Sequence, residues 1–347
     1  MPNTYYIPVV LLYLFGLLNL IGVRTDLVSS YLMFFGIGLL FFIAIRYLQV
    51  NKHFFRQNAT VFYWIFVALL ILTYFVGSEV KGSKRWIDFY FFQLQTSEIF
   101  KVFFIVFLAR IFSSVKTPVE NAKLFYKVLF FTISPFLLIF RQPDLGSSLM
   151  ILSTFFMMTL MSTVPKKQII GFILLIVALL PIVWFSMRDY QQSRIISFIN
   201  PSSNISGASY NMMQAKIAIG SGTLLGKGLG MGKQSQLNFL PEFHTDFAYS
   251  SLVEQFGFVG GALVILLYGT FFYLLFYRMA KNVYSDDIDE RYRFFYILGF
   301  SSLVIVQTSV NIGMNLGLLP VAGITLPFIT YGGSSLITFM IGLALIP

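Results

Sequence analysis

The sequence contains no cysteine and very little charge. Charged side chains make up only 11% of its 347 residues, and there are two histidines. Without cysteine the chain forms no disulfide and no thiolate metal site, and nothing supports a redox cofactor. A soluble domain usually has about a quarter of its residues charged. The shortage of charge therefore argues against an ordinary soluble fold.

Hydrophobic residues account for 57% of the chain, and the mean hydropathy is +0.79. A bilayer-spanning helix needs about 20 mostly apolar residues. Runs of about that length lack Asp, Glu, Lys and Arg at residues 1–23, 27–45, 58–78, 145–165 and 168–187. Backbone groups in hydrocarbon need internal hydrogen bonds, and these runs lack the alternation of barrel strands. The composition predicts an all-α polytopic membrane protein.

About ten transmembrane helices account for the apolar pattern. We predict them near residues 5–22, 28–48, 59–77, 97–113, 125–140, 145–163, 168–187, 247–277, 292–312 and 334–347. The first apolar run lacks a basic leader and a cleavage site, so we expect a retained helix rather than a signal peptide. The whole chain, residues 1–347, is predicted to be a single transmembrane domain.

Two segments between the predicted helices stand out. Residues 188–247 form one large extracytoplasmic loop, polar at first and rich in glycine later. Residues 311–335 are dense in Gly, Pro and Asn without any charge. Non-helical backbone at membrane depth is tolerated where protein or a water-filled cavity surrounds it. We therefore expect the second segment to be a compact loop that lines a cavity.

The basic residues indicate orientation. A net charge of +10 in a soluble protein would suggest nucleic acid, but here Lys and Arg are scattered among short loops. With the N-terminus inside, one set of loops holds thirteen of them and the opposite short loops hold five. The positive-inside rule then predicts that both termini are cytoplasmic. No nucleic acid partner is expected.

Two opposite charges lie at the outer end of the fourth predicted helix. Glu98 and Lys101 are three residues apart, which places them on one face of the helix. Charges inside a span mark either a functional site or a structural ion pair. The spacing alone leaves both interpretations open.

A short basic loop precedes that helix. Residues 81–88 include Lys84, Arg85 and Trp86, a combination suited to an anionic headgroup or a pyrophosphate. The alternative is that the cations snorkel at the interface beside a tryptophan of the aromatic belt.

The large outer loop ends in a Gly-rich stretch and then a polar string. A phosphate-binding P-loop would need Gly at position 221 and Ser or Thr at 228, where Ser221 and Gly228 stand, so no nucleotide site is predicted. Glu242, His244 and Asp246 are candidate metal ligands. Two histidines in the whole chain argue against zinc, whereas Mg²⁺ or Mn²⁺ bound by carboxylates remains open.

Several strings resemble the RodA/FtsW/SpoVE (SEDS) family. They are KRWID at 84–88, QTSE at 95–98, QPDLG at 142–146, LPEFHTDF at 240–247, and the stretch from Leu-Pro at 319 to YGGSS at 331–335. They occur in the family's order and cover nearly the whole chain. Residues 234–239 and 317–320 look more like RodA than FtsW.

The resemblance implies a ten-helix peptidoglycan glycosyltransferase of the bacterial cytoplasmic membrane. Such an enzyme polymerises lipid II into glycan strands at the outer face, with a class B penicillin-binding protein as partner and a role in cell elongation and shape. On that analogy Asp246 matches the catalytic aspartate, and Trp86, Glu98 and Lys101 match functionally sensitive positions. Two departures are Thr96, where the family usually has Pro, and Gln255, where a second Glu often follows Glu254.

The expected mechanism needs one carboxylate base and cations for the leaving pyrophosphate. We predict Asp246 as the base, with Glu98 orienting it or sharing a divalent ion, Mg²⁺ or Mn²⁺. The candidate substrate-binding residues are Lys101, Arg85, Lys84, Trp86, Lys233, Gln234 and His244. The alternative for Asp246 is a helix N-cap, because it directly precedes an apolar helix.

Two other functions stay open at the level of sequence. A flippase for the lipid-linked precursor would also show charges inside the membrane and broken helices. A scaffold that recruits a penicillin-binding protein would tolerate the loss of both Asp246 and Glu98.

Overall fold

The computed structural model describes residues 4–48, 53–80, 83–88, 93–114, 118–200, 207–282 and 285–347. Helices make up most of this part of the chain. They are α1 Tyr6–Val23, α2 Val28–Leu48, α3 Phe54–Gln57, α4 Ala59–Val76, α5 Thr96–Ser114, α6 Pro118–Arg141, α7 Leu145–Leu160, α8 Lys166–Ser186, α9 Asp189–Ile199, α10 Ala208–Ser221, α11 Lys233–Gln236, α12 Ala248–Ala280, α13 Ile288–Asn315 and α14 Gly333–Ala344. A 3₁₀ turn at Thr25–Leu27 joins α1 to α2.

The prediction of an all-α polytopic membrane protein is confirmed. Each of the ten predicted helices coincides with one helix of the structure, within a few residues at most ends. Among the described residues, seven helical segments are long and apolar enough to cross a membrane, at 6–23, 25–47, 59–76, 123–141, 166–186, 248–280 and 288–315. Helices α7 and α14 are apolar but shorter. Helix α5 has 19 residues and carries the charges of Glu98, Lys101 and Arg110.

A small antiparallel sheet lies where the sequence predicted only a basic loop. Its strands are β1 Ser78–Val80, β2 Ser83–Asp88 and β3 Gln93–Gln95, in the order β1-β2-β3. Trp86 faces Ser78 on one side and Gln95 on the other. Strands of three to six residues give too short an alternation to be distinguished from a polar loop. Lys81 and Gly82 lie outside the described residues.

Segment 188–247, predicted as one extracytoplasmic loop, contains helices in its described residues, 188–200 and 207–247. Helices α9, α10 and α11 lie within it, and α11 packs against α10. Helix α9 has buried side chains at Gln191 and Ser197 and exposed ones at Ile196 and Ile199. These short helices have polar sequences without a long apolar run, so the sequence predicts only a loop there.

The chain divides into two compact units. The first comprises residues 1–40, 190–275 and 304–339, and the second comprises residues 41–189, 276–303 and 340–347. The first unit has a hydrophobic core formed by Val23, Met212, Ala215, Ala218, Leu240, Phe243, Phe247, Met314 and Val321. This core joins residues from α1, α10, α13 and the segments next to them.

In the second unit α5 packs against α4 and α7, while α6 packs against α4 and α7. Every side chain of α5 from Thr96 to Ala109 is buried. A helix buried all round is normally apolar all round. Glu98 and Lys101, in its first turns, are exceptions to this rule. Their charged side chains are buried too, at 7% and 2% exposure.

Helix α12 breaks at Gly257, whose φ of +69° lies in the left-handed region that glycine adopts readily. The break leaves the carbonyls of Glu254 and Gln255 to accept hydrogen bonds from the backbone N–H groups of Lys227 and Gly228, at 2.9 and 3.0 Å. Beyond the break, Phe258 N–H donates to the carbonyl of Thr223 at 2.9 Å. The Gly-rich stretch is thus hydrogen-bonded to the broken helix. These bonds satisfy backbone groups that would find no hydrogen-bond partner in hydrocarbon.

The non-helical segment 316–332 obtains its hydrogen bonds from side chains of the first unit. Gln307 Nε2 donates to the carbonyl and the hydroxyl of Thr325, both at 3.1 Å, and Asn311 Nδ2 donates to the carbonyl of Ile324 at 2.6 Å. Tyr268 donates its hydroxyl proton to the carbonyl of Pro327. The predicted compact loop is present, and its role in lining a cavity stays a prediction.

Candidate active site

The string LPEFHTDF forms a turn whose apolar and polar side chains separate. Leu240, Phe243 and Phe247 are at most 3% exposed and belong to the core of the first unit. His244 and Asp246 are only half-buried. Burial of the apolar side chains anchors the turn, because each such side chain contributes about 1.5–3 kcal/mol when fully buried. The polar side chains are left at the edge of the core, where a ligand can reach them.

Hydrogen bonds close this turn on itself. The carbonyl of Glu242 accepts from the N–H groups of Thr245 and Phe247, both at 3.1 Å, and the Thr245 hydroxyl donates to Glu242 Oε2 at 2.8 Å. Glu242 has a φ of +54°, which is uncommon for a residue with a side chain. Backbone strain of this kind clusters at functional sites and persists only where the surroundings impose it.

Asp246 is held through its backbone. Its carbonyl accepts hydrogen bonds from Nδ2 of Asn311 at 3.0 Å and Nδ2 of Asn315 at 3.1 Å. Both asparagines are completely buried on α13. The position of residue 246 is therefore fixed by two buried amides that do not use its carboxylate.

Asn315 also takes the role considered for Asp246 at the start of α12. Its Oδ1 accepts from the Ser250 N–H at 3.0 Å and from the Ser250 hydroxyl at 2.6 Å. The first hydrogen bond of the helix runs from Ser251 N–H to the carbonyl of Phe247, so Phe247 rather than Asp246 stands at the N-cap position. Asn315 caps the Ser250 N–H, which an N-cap side chain would otherwise satisfy.

The two strings most typical of the family meet at His244. Its carbonyl accepts the backbone N–H of Tyr331 at 3.1 Å, and the His244 and Tyr331 rings are 6.0 Å apart between centroids. The chain thus brings the start of the YGGSS string against the turn that carries Asp246.

Lys233 and Gln234 begin α11, and a buried carboxylate holds that helix. Glu254, which is 1% exposed, accepts from Gln234 N–H at 2.8 Å, from Ser235 N–H at 3.2 Å and from the Ser235 hydroxyl at 2.7 Å. The Lys233 side chain is exposed. Glu254 is not among the site residues predicted from the sequence. It holds the predicted substrate-binding residue Gln234 through its backbone N–H, and the next residue, Ser235, through its backbone and hydroxyl.

Gln255, the departure from the family pattern, uses both ends of its amide. Its Oε1 accepts from Gly230 N–H at 3.0 Å, while its Nε2 donates to Asn19 Oδ1 at 2.6 Å and to the Asn19 carbonyl at 3.1 Å. The Asn19 amide in turn donates to Ser251 Oγ at 3.0 Å. A glutamate in this orientation would face two acceptors on Asn19 without a proton to donate. In this chain Gln is the residue that satisfies both partners.

We therefore expect Gln255→Glu to destabilise the protein by about 1–3 kcal/mol, the usual cost of an unsatisfied buried polar group. The measurement is the unfolding midpoint in detergent, followed by the fluorescence of the three tryptophans. Gln255→Met is the matched control. It removes the same hydrogen bonds without adding a charge, so it should lose less stability than Gln255→Glu. A Glu variant as stable as wild type would contradict the assignment of donor and acceptor.

In the second unit, Glu98 and Lys101 form the ion pair that their spacing allowed. Lys101 Nζ lies 2.7 Å from Glu98 Oε1. Within the described part of the chain, the other oxygen, Oε2, is buried and has no hydrogen-bond partner. A buried acceptor of this kind needs a donor, which a bound water or a substrate hydroxyl would provide.

Arg85 lies close to another buried carboxylate, Asp144, which is not among the predicted site residues. Asp144, 4% exposed, lies 3.5 Å from Arg85 Nη1 and accepts from Gln95 Nε2 at 2.8 Å and from the Ser97 hydroxyl at 3.3 Å. It also caps α7 by accepting the Ser147 N–H at 3.0 Å. The QPDLG string showed this Asp next to an apolar helix, a pattern typical of an N-cap.

The other predicted residues of this region differ in exposure. The Lys84 side chain is exposed and that of Trp86 is half-buried on β2. At the start of α5, the buried Thr96 hydroxyl lies 3.0 Å from the Thr73 hydroxyl. Because Thr rather than Pro stands at position 96, this chain has a side-chain hydrogen bond between the start of α5 and α4.

Among the residues that the structure describes, no three His, Asp or Glu side chains come together as a metal site. Glu98 fits an ion poorly, because the Lys101 ammonium already occupies the position next to its Oε1. The half-buried Asp246 fits better, because Mg²⁺ is usually bound by one or two carboxylates together with substrate phosphates and water.

Comparison with known proteins places the chain in a family. A family model described as cell cycle protein, FTSW_RODA_SPOVE, matches residues 6–347. The peptidoglycan glycosyltransferase MrdB of Helicobacter pylori strain J99 is 36% identical over 319 residues, which cover 90% of this chain and 80% of the relative.

Solved structures agree with that result. A chain from a structure described as "Structural coordination of polymerization and crosslinking by a peptidoglycan synthase complex" gives a TM-score of 0.82 at 26% identity, covering 99% of this chain and 95% of that chain. A mutant of the rod shape determining protein RodA of Thermus thermophilus gives a TM-score of 0.71 at 25% identity, covering 99% and 94%. With a family match over almost its whole length, the chain belongs to the FtsW/RodA/SpoVE family.

Proposed function

We propose that this chain joins lipid II units into glycan strands at the outer face of the cytoplasmic membrane, with Asp246 as the general base. The chain is a peptidoglycan glycosyltransferase with a role in cell shape, like the relatives named MrdB. The observation that carries the assignment of the base is the setting of Asp246. Two buried asparagine amides fix its backbone, while its side chain is half-buried at the edge of the core.

The reaction needs one proton acceptor. The hydroxyl oxygen of the acceptor sugar forms a bond to the anomeric carbon of the donor, and its proton passes to the Asp246 carboxylate. The bond between that carbon and the pyrophosphate oxygen breaks, and the electron pair leaves with the pyrophosphate. A positioned base of this kind contributes about 10² to 10⁴-fold to the rate. Pyrophosphate needs no proton if cations neutralise its charge.

The predicted cations differ in their availability for pyrophosphate. Lys84 and Lys233 are exposed, and we assign direct phosphate contact to them. Lys101 is 2% exposed and paired with Glu98, so its role in the proposal is to hold that carboxylate. Trp86, Gln234 and His244 remain the proposed contacts for the rest of the substrate. A Mg²⁺ or Mn²⁺ ion held by Asp246 and the substrate phosphates would supply further positive charge.

A class B penicillin-binding protein is the proposed partner. The structural similarity to a chain in a peptidoglycan synthase complex supports this proposal. Helix α12 also keeps large apolar side chains exposed, among them Phe258, Leu266 and Tyr273. In a membrane such a face contacts either lipid or the helix of a partner.

The proposed orientation places both termini in the cytoplasm and the Asp246 turn outside. The distribution of Lys and Arg among the short loops supports it. On this orientation the outer ends of α1, α5 and α12 face the compartment in which lipid-linked precursors are polymerised.

The test is glycan synthesis from purified lipid II by the purified chain, with and without its penicillin-binding partner and a divalent ion. We expect strands of many disaccharides. If no polymer forms under any condition while lipid II crosses the bilayer of a vesicle, the chain is a transporter. If polymer depends entirely on a glycosyltransferase contributed by another protein, the chain is a scaffold. Either result would overturn the proposal.

A further inference from the structure

Helix α9 carries a cation on its inward face. Gln191 and Ser197 on this face are only 4% and 3% exposed, and Phe198 packs against the core of the first unit. Arg194 lies three residues from both Gln191 and Ser197, so it points to the same side of the helix. The outward face carries the exposed Ile196 and Ile199 instead. The amphipathic pattern is thus interrupted by a charge that the function described so far does not use.

The Arg194 guanidinium is supported from its own helix. Its Cζ lies 5.6 Å from the centre of the Tyr190 ring, one turn earlier. Stacking on an aromatic face restricts the side chain and suits the weakly hydrated guanidinium. The tyrosine therefore limits the positions that the charge can take.

The guanidinium and the Asp246 carboxylate flank the same glycine. A Cβ atom on Gly323 would lie 3.3 and 3.8 Å from Nη1 and Nη2 of Arg194, and 3.6 Å from Oδ2 of Asp246. Gly323 has a φ of +65°, which residues with a side chain rarely adopt. Because residue 323 is a glycine, it places no side-chain atom beside the guanidinium and the carboxylate.

We infer that Arg194 binds the pyrophosphate of the lipid-linked donor beside Asp246, an assignment that rests on the proposed function. The base takes a proton from the hydroxyl that attacks the anomeric carbon, and the pyrophosphate leaves from that same carbon. A cation that serves the leaving group must therefore stand close to the base without occupying its place. Arg194 lies beside Gly323, as Asp246 does, and its planar fork can donate two parallel hydrogen bonds to phosphate oxygens.

The inference gives Arg194 a role in binding and Asp246 a role in proton transfer. Substitutions of the two residues should therefore have different effects. The experiment measures the binding of undecaprenyl pyrophosphate and of undecaprenyl monophosphate to the purified full chain in mixed micelles. The variants are Arg194→Gln, Arg194→Lys and Asp246→Asn. Lys227→Gln is the matched control, because it removes an exposed positive charge from the same outer segment. Polymerisation of lipid II is measured on the same samples.

We expect Arg194→Gln to bind the pyrophosphate about 10- to 100-fold more weakly, the usual loss for hydrogen bonds to a charged group. Arg194→Lys should recover part of the affinity, because it keeps the charge but not the fork. Lys227→Gln should bind as wild type does. Asp246→Asn should do so when no divalent ion is present, because an ion is the proposed link between Asp246 and the substrate phosphates. The monophosphate should bind more weakly than the pyrophosphate and should lose less in Arg194→Gln.

Wild-type pyrophosphate binding by Arg194→Gln would overturn the inference, since the guanidinium would then act only on the fold or on Asp246. An equal loss in Lys227→Gln would also overturn it, because the attraction would then be unspecific. The binding assay does not depend on polymerisation. If wild type makes no glycan but Arg194→Gln still loses pyrophosphate selectively, the proposed reaction fails and the Arg194 site stands.

Discussion

Asp246→Asn is expected to lower the rate of glycan synthesis from lipid II at least a hundredfold without changing the amount of folded protein. An amide cannot accept the proton of the attacking hydroxyl, and general bases contribute about 10² to 10⁴-fold. The fold should survive, because Asn311 and Asn315 bind the backbone carbonyl of residue 246. The measurement is the initial rate of polymer formation at matched protein and partner concentrations.

The matched control is Asp26→Asn. Asp26 is an exposed carboxylate of the same unit, paired with Arg24 at 2.7 Å, and its replacement makes the same chemical change. We expect it to polymerise at the wild-type rate. If Asp246→Asn were as active as this control, the base would have to be another group. If Asp246→Asn is inactive and also has a lower unfolding midpoint, the assay is repeated at a lower temperature, where both the variant and the wild type are folded.

The sequence predicted the elements of this fold better than their contacts. Continuous apolar runs give the transmembrane helices, because lipid demands both their length and their composition. The small sheet at residues 78–95 and the helices α9 to α11 were missed, because short polar elements have no such constraint. Helix α5 was found although its charges disrupt the apolar pattern, since its remaining residues are almost all apolar.

The candidate site shows the same limit. The LPEFHTDF string identified Asp246, but nothing near it in the sequence indicates Asn311 and Asn315, which lie 65 and 69 residues further on. Arg194 likewise comes near Asp246 only in the folded chain. The helical periodicity of a sequence predicts which face of a helix a residue lies on, but not which residues pack against that face. Tertiary hydrogen bonds of buried polar residues are therefore the part that the structure adds.

Breaking the Glu98–Lys101 pair is expected to have the largest effect on stability. Lys101→Met should lower the free energy of unfolding by about 3–5 kcal/mol, because it leaves a carboxylate buried without its counter-charge. Glu98 Oε2 already has no partner among the described residues, so little in the structure can compensate. The measurement is the unfolding midpoint of the detergent-solubilised protein. Arg24→Gln, which breaks an exposed pair, is the control and should leave the midpoint unchanged.

The double variant Glu98→Gln with Lys101→Met separates the two interpretations that the sequence left open. Both substitutions keep the shape of the side chain and remove its charge, and replacing a buried pair by neutral groups is often neutral for stability. We expect the double variant to recover most of the lost stability and yet to polymerise much more slowly, because a neutral amide oxygen is a weaker acceptor for a substrate hydroxyl than the Glu98 carboxylate. A stable double variant that polymerises at the wild-type rate would show that the pair is structural. Glu98 and Lys101 would then have no role in the reaction, and Asp246 would remain the candidate base.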